Sequence, residues 1–293
     1  MNVFGWLPDY PDNRDYTKDS QEITALIRGK SKQLTKIDLR EYCSPIVNQG
    51  NLGSCTANAA SGILEFFQKK AFGSYSPVSR LFVYKATRNL MKAKGDSGAY
   101  IRTTMGALAL FGAPPEKFLE YDIESYDNEP KPFCYSFAQN YQALKYFRLD
   151  EQGKSEEQIL QSIKETITNQ IPAMFGFTVY SSIRDAMGGK IPFPAKNESV
   201  LGGHAVVAVG YDDSMKIGTS TGAFIIRNSW GAEWGDKGYG YLPYDYVLNG
   251  LALDWWALIS AEWVDTRPFD IAEGLGMAKD MRLPFERDKT SRY

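Results

Sequence analysis

The chain has 293 residues, 43% hydrophobic and 23% charged, enough to bury one large domain or two lobes. Its 33 basic and 35 acidic side chains leave a net charge of −2, which gives no electrostatic reason to expect a nucleic acid or membrane partner. The three cysteines exclude a disulfide framework, and with one histidine they match no zinc spacing, so neither a metal nor a cofactor is expected.

Residues 1–20 are rich in Pro, Asp, Asn and Tyr and read as extended, irregular chain. They lack the basic and apolar regions of a signal peptide, and no apolar run is long enough to span a bilayer, so a cytoplasmic or leaderless-exported protein is expected. A short helix is expected within residues 21–34 and an extended segment over Ile37–Tyr42. From Ser54 the period changes: Ala59, Ala60, Ile63, Leu64 and Phe67 recur at helical spacing, predicting an apolar helix to about Lys70 with Gly73 as its stop. Further helices are expected over Pro77–Met91 and Thr103–Phe111, a loop over residues 121–135, and an amphipathic helix over Glu156–Asn169. Short β-rich runs follow at Ala173–Val179, His204–Tyr211, Ala223–Arg227, Gly238–Leu242 and Trp255–Ala261. Helices first and strands second predict an α+β protein with two lobes and no internal repeat. The charged stretch after Asp265 reads as a draped or partly disordered tail.

Three segments carry chemistry. In NQGNLGSC, Gly50 and Gly53 permit a tight turn that delivers Cys55 to a helix start, where unpaired N–H groups and the helix dipole favour a thiolate. Gln49 offers an amide donor beside the Cys55 N–H for a developing oxyanion. His204, the lone histidine, opens the strand HAVVAVGY after Gly202–Gly203. A lone histidine is more often a core residue satisfied by a carbonyl, but flanking glycines argue for close approach of substrate. Asn228 ends AFIIRN, where its amide oxygen can hold one imidazole nitrogen, and Trp230 can shield that bond from water. Each segment alone is weak evidence.

Together NQGNLGSC, GGHAVVAVGYDD and IIRNSWGAEWGDKGYG resemble the active-site motifs of the papain-like cysteine peptidases (C1-type), in family order, over residues 38 to about 263. The resemblance implies a papain-like two-lobe fold, with a helical left lobe, a β-barrel-like right lobe and the cleft between them. It implies Cys55 as nucleophile, His204 as acid/base, Asn228 as its orienting partner and Gln49 with the Cys55 N–H as oxyanion hole. Gly53, Gly98, Gly203 and Trp230 take the substrate-contacting positions. The expected organisation is residues 1–37 as an extension that partly covers the groove, 38–150 as the left lobe, 151–263 as the right lobe and 264–293 as a tail. A monomer acting on peptide or protein substrates is expected, with no nucleic acid or membrane partner. An amide-forming transferase and an inactive groove-binding homologue remain as alternatives.

Departures from the family pattern are local. Thr56 stands where a tryptophan usually follows the nucleophile. Leu52 replaces a bridging cysteine, and GDSGAY lacks that cysteine's partner. DDSMKIGTSTG lengthens the spacer between His204 and Asn228 as an expected hairpin extension. The long helical propeptide is absent, and GWLPDYPDNRDY resembles the N-terminal stretch of bacterial-type members. A Cys43–Cys134 bridge stays open as an option in an oxidising compartment.

Overall fold

In the computed structural model, residues 4–24, 34–141 and 143–261 are described. The chain enters through a two-residue strand β1 (Trp6–Leu7), a helical turn α1 (Gln21–Thr24) and a short strand β2 (Lys36–Asp38). Of the helix expected within 21–34, only Gln21–Thr24 is seen, and the stretch 25–33 lies outside the described residues. Ile37–Tyr42 is extended only to Asp38 and then turns through a 3-10 helix at Arg40–Tyr42.

Helix α2 (Cys55–Phe72) starts at the cysteine itself. Every residue from Cys55 to Phe66 is buried, which the small side chains of Ala57, Ala59, Ala60, Ser61 and Gly62 allow. Gly73 ends it in the left-handed conformation at φ 70°, its N–H donating to the Lys69 carbonyl. Helix α3 (Arg80–Met91) begins later than the sequence pattern predicts. Ser79 caps it by accepting from the Phe82 N–H, and Val78 is held in a β-bridge to Pro115. Strand β3 (Ala99–Tyr100) leads directly into α4 (Ile101–Phe111). The stretch 121–135, expected as loop, contains a 3-10 turn at Ile123–Ser125 and the start of α5 (Pro132–Ala138), where Pro132 occupies a first-turn position that needs no N–H.

Strand β4 (Ala143–Arg148) was not legible in the sequence. Helix α6 (Glu156–Thr168) carries a capping box between Ser155 and Gln158. The remaining elements are β5 (Ala173–Tyr180), β6 (Val200–Ile217), β7 (Ser220–Arg227), β8 (Tyr239–Pro243), α7 (Asp245–Leu248) and β9 (Ala252–Ala261). The spacer extension is indeed a hairpin: β6 and β7 stay paired out to Ile217 and Ser220.

The large sheet is antiparallel throughout, in the order β4-β9-β5-β6-β7-β8, with β2 also paired to β6. Its path is open, so among the described residues the β region is an open antiparallel sheet and not a closed barrel. β2 and β4 join it from the part of the chain before residue 150. The mixed α+β class holds. Phe175 on β5 stacks on Trp255 of β9 at 3.7 Å and 6°, with Phe224 of β7 5.3 Å from the same indole, so three strands share one apolar face. A second cluster joins Phe82 and Ala86 of α3 to Cys134 and Ala138 of α5. Cys43, Cys55 and Cys134 are all free and buried, so the Cys43–Cys134 bridge does not form. No helix among the described residues is long and apolar enough to cross a membrane.

Candidate active site

The loop before α2 is fixed from several sides. Gln49 is fully buried; its N–H donates to the Ser229 carbonyl at 2.8 Å, and its side-chain amide donates to the Leu52 carbonyl at 3.0 Å. Ser229 Oγ donates to Gln49 Oε1 at 2.6 Å. Tyr121 donates to the Gln49 carbonyl at 3.0 Å and shares a 2.6 Å hydrogen bond with the Ser54 hydroxyl. The Gly53 N–H donates to both carboxylate oxygens of Asp96 at 3.0 Å, and the Tyr84 hydroxyl donates to the same carboxylate. Tyr84 in turn accepts from the Gly98 N–H at 3.1 Å. One carboxylate and one phenol therefore tie Gly53 to Gly98, across the two loops from which the cysteines Leu52 and GDSGAY lack are missing.

Cys55 opens α2 at an N-cap, Ser54, that makes no side-chain capping bond. The backbone N–H groups of Ala205, Gly5, Thr56 and Cys55 itself lie near enough to its sulfur to favour the thiolate. The Ala205 contact sets the sulfur beside β6, one residue past His204. On β6, His204 pairs with Phe177 of β5. Its Nε2 lies 2.8 Å from Asn228 Oδ1, which also accepts from the Ser229 N–H at 2.8 Å. An atom accepting from a backbone N–H is the oxygen of the amide, so His204 donates through Nε2 and keeps its lone pair on Nδ1. That Nδ1 is buried and makes no hydrogen bond within the protein. Trp230 stacks on the imidazole at 4.4 Å and 22°.

Residues 4–7 lie against this assembly. β1 pairs in parallel with β3, Trp6 opposite Ala99, and the Ala99 N–H donates to the Gly5 carbonyl at 2.8 Å. Phe4 makes edge contacts with His204 and Trp230 at 6.4 and 6.2 Å. The approach is close enough to require glycine: a Cβ at Gly98 would lie 2.4 Å from the Gly5 carbonyl oxygen, and one at Gly5 would lie 1.9 Å from that of Gly53. Cys55 and His204 are both 0% exposed. Burial pushes the thiol up to about 11 against the opposing effect of the nearby backbone N–H groups, and pulls the imidazole down to about 4 against the opposing effect of Asn228. Both shifts have the same cause and the same sense, favouring the uncharged thiol and the uncharged imidazole.

All eight residues singled out in the sequence come together here. Gln49, Gly53 and Cys55 share one loop, His204 and Gly203 open one stretch of β6, Asn228 and Trp230 follow β7, and Gly98 precedes β3. Sequence reasoning missed Ser229, Asp96, Tyr84 and Tyr121. Ser229 stands inside the asparagine motif and Asp96 within GDSGAY, so both were findable by position, whereas nothing local marks Tyr84 or Tyr121. Among the described residues no group of three or more His, Cys, Asp or Glu could hold a metal ion.

Comparison with known proteins places these residues in context. Residues 34–249 match the family described as papain family cysteine protease. The chain is 33% identical over 274 residues to an uncharacterized peptidase C1-like protein of Acanthamoeba polyphaga mimivirus, covering 87% of this chain and 86% of that protein. It is 27% identical to the thiol protease aleurain of Arabidopsis thaliana over 86% of this chain and 69% of that protein. Among solved structures it resembles xylellain, a cysteine protease from Xylella fastidiosa, with TM-score 0.72 and 32% identity over 88% of this chain and 96% of that one.

Proposed function

The chain belongs to the papain family of cysteine proteases, and from that premise we propose that it hydrolyses peptide bonds through a thioacyl-enzyme built on Cys55, His204 and Asn228. Its substrates are peptides or proteins, as the family implies. The observation that carries the residue assignment is the His204–Asn228 bond at 2.8 Å, which leaves Nδ1 as the basic nitrogen, one residue before Ala205, whose N–H lies near the Cys55 sulfur.

In the working state, His204 Nδ1 takes the Cys55 proton and the thiolate attacks the substrate carbonyl. The oxyanion accepts from the Cys55 N–H and from the Gln49 amide, whose plane is fixed by Ser229 and Leu52. The imidazolium then protonates the leaving amine, and the neutral imidazole activates water to release the acid and restore the thiol. Asn228 orients the ring without exchanging a proton. In this reading residues 38–150 supply the nucleophile and residues 151–263 supply His204 and Asn228. Relatives named as thiol or cysteine proteases favour hydrolysis over amide formation and over an inactive groove.

Residues 4–7 act as a plug in this proposal. The support is their contact with both sides of the site: Phe4 on His204 and Trp230, Gly5 on Gly53 and Gly98, Trp6 on Gly203. A closed cleft holds a neutral pair, and an opened one admits water and permits the ion pair. Mass spectrometry after treatment with an epoxysuccinyl peptide tests both parts. A single adduct that disappears in Cys55→Ala is expected; a Cys55→Ala variant that still turns over peptide would end the assignment.

A further inference from the structure

The two groups assigned to the oxyanion stand on Gln49 and Cys55, and a single hydroxyl from outside their loop joins their supports. The Tyr121 O–H donates to the Gln49 carbonyl at 3.0 Å, and its oxygen lies 2.6 Å from Ser54 Oγ. A phenol has one proton, so Ser54 is the donor in the second bond. Ser54 Oγ is then the acceptor for Asn58 Nδ2 at 3.0 Å. Asn58 Oδ1 in turn accepts from Arg80 Nη1 at 3.3 Å. Every donor in this chain points the same way, from the Arg80 guanidinium to the Gln49 carbonyl, so each bond polarises the next.

Asn58 also holds the second oxyanion donor. The Cys55 N–H belongs to the peptide whose carbonyl is that of Ser54. That carbonyl accepts twice from Asn58, from its backbone N–H at 3.0 Å and from Nδ2 at 2.9 Å. The peptide plane carrying the Cys55 N–H is therefore fixed by the same amide that aligns the Ser54 hydroxyl. Gln49 and Ser54 are 0% exposed and Asn58 is 1% exposed, so bulk water does not compete for these bonds.

Tyr121 is itself held from behind. The Arg80 guanidinium lies 4.0 Å over the Tyr121 ring and pairs with Glu116 at 2.6 Å. Ser79, the cap of α3, donates to the Leu119 carbonyl at 2.7 Å. The segment that carries Tyr121 is thus pinned to the start of α3. Ile123 extends the contact to the loop itself, since a Cβ at Gly50 would lie 2.6 Å from Ile123 Cδ1. Burial raises the Tyr121 phenol above its ordinary value, so it stays a donor through neutral pH.

We propose that Tyr121 is a positioning residue of the oxyanion hole: its hydroxyl, bonded at once to Gln49 and Ser54, sets the spacing between the Gln49 amide and the Cys55 N–H. It acts through those two donors and not on the sulfur. The proposal rests on the hydrolytic reading above and deepens it.

The test compares Tyr121→Phe with the parent in the full-length chain. The variant keeps the ring under Arg80 and loses both hydroxyl bonds. With a fluorogenic peptide, kcat is expected to fall by about tenfold or more while KM stays within about twofold, because misaligned donors matter when charge develops on the carbonyl oxygen. Alkylation of Cys55 by iodoacetamide forms no oxyanion, so its rate should match the parent, and the pH profile of kcat/KM should keep its shape. Ser54→Ala removes one arm of the bridge and should lower kcat in part; added to Tyr121→Phe it should cost nothing further. If Tyr121→Phe fails to fold, Ser54→Ala carries the test, with its loss confined to kcat. An unchanged kcat, a change confined to KM, or a fall in kcat matched by slower alkylation would overturn the proposal while hydrolysis stands. Additive losses in the double variant would overturn it too, since independent bonds make no bridge. Absence of both hydrolysis and Cys55 labelling in the parent would overturn the hydrolytic reading and this inference with it.

Discussion

Ser229 Oγ donates to Gln49 Oε1 at 2.6 Å, joining the loop before the cysteine helix to the turn that follows Asn228. The same two residues are joined again through the backbone, Gln49 N–H to Ser229 carbonyl at 2.8 Å. The amide proposed to meet the oxyanion is thus aimed by the residue next to the one that aims the imidazole. Removing the hydroxyl takes away one of the bonds that hold the Gln49 amide plane. Ser229→Ala is expected to lower kcat by roughly tenfold with little change in KM, since the lost alignment matters mainly when negative charge develops. Steady-state kinetics on a single peptide reads this directly, and a change confined to KM would contradict it.

Asp96 does the work of a bridge without a covalent bond. It accepts from the Gly53 N–H and the Tyr84 hydroxyl, and Tyr84 accepts from Gly98. Gly53 is buried, so Asp96→Ala leaves its N–H without a partner inside the protein. The expected cost is about 1 to 3 kcal/mol in stability, seen as a drop of several degrees in Tm. Because Gly53 and Gly98 line the proposed substrate edge, KM should rise as well. Unchanged melting and unchanged KM together would show that the clamp is dispensable.

Much of this site was readable because the chemistry demands particular residues at particular local positions. Cys55 at a helix start and Asn228 just after a strand are short-range patterns, and the strand and helix periods around them were strong, although His204, read as opening its strand, lies inside β6, which begins at Val200. What escaped was the support that arrives from elsewhere in the chain. Tyr84 and Tyr121 reach the nucleophile loop from 29 and 66 residues beyond Cys55 only because α3 and the loop after α4 fold back on α2, and no local signal marks a tyrosine as such a strut. β4 was missed for a similar reason: ALKYFR lacks clean alternation, and its pairing with β9 is irregular, with register shifts near Lys145. Pro132 misled in the opposite direction, reading as a loop signal where it starts a helix.

The ionisation of Cys55 gives a pH prediction with a definite sign. Burial raises the thiol, so in the closed state the neutral form persists below about 11 and the thiolate appears only above it. Far-ultraviolet difference absorbance between the full-length chain and its Cys55→Ala variant reports thiolate without requiring access to the sulfur. A flat signal from neutral pH to pH about 9 is expected for the full-length chain. In Trp6→Ala, where the plug loses its anchor, the indole hydrogen bond to Asp254, thiolate should be present at neutral pH. Equal signals in the two chains would mean that the plug does not control ionisation.

The plug itself is testable by rate. Phe4, Gly5 and Trp6 lie on His204, Gly53 and Gly203 in turn, and their anchorage is one strand pairing, one buried indole bond and edge contacts. Each is worth on the order of 1 kcal/mol, so losing the segment should raise the accessible fraction by one to several powers of ten. A chain starting at Ile37 is therefore expected to be labelled by an epoxysuccinyl peptide at least about tenfold faster than the full chain. Phe4→Ala should fall between the two, because it removes the cover from His204 and Trp230 but leaves Trp6 seated. Equal labelling rates in all three would reduce residues 4–7 to a clasp that stabilises the fold without gating it, and melting temperature would then be the property that truncation changes.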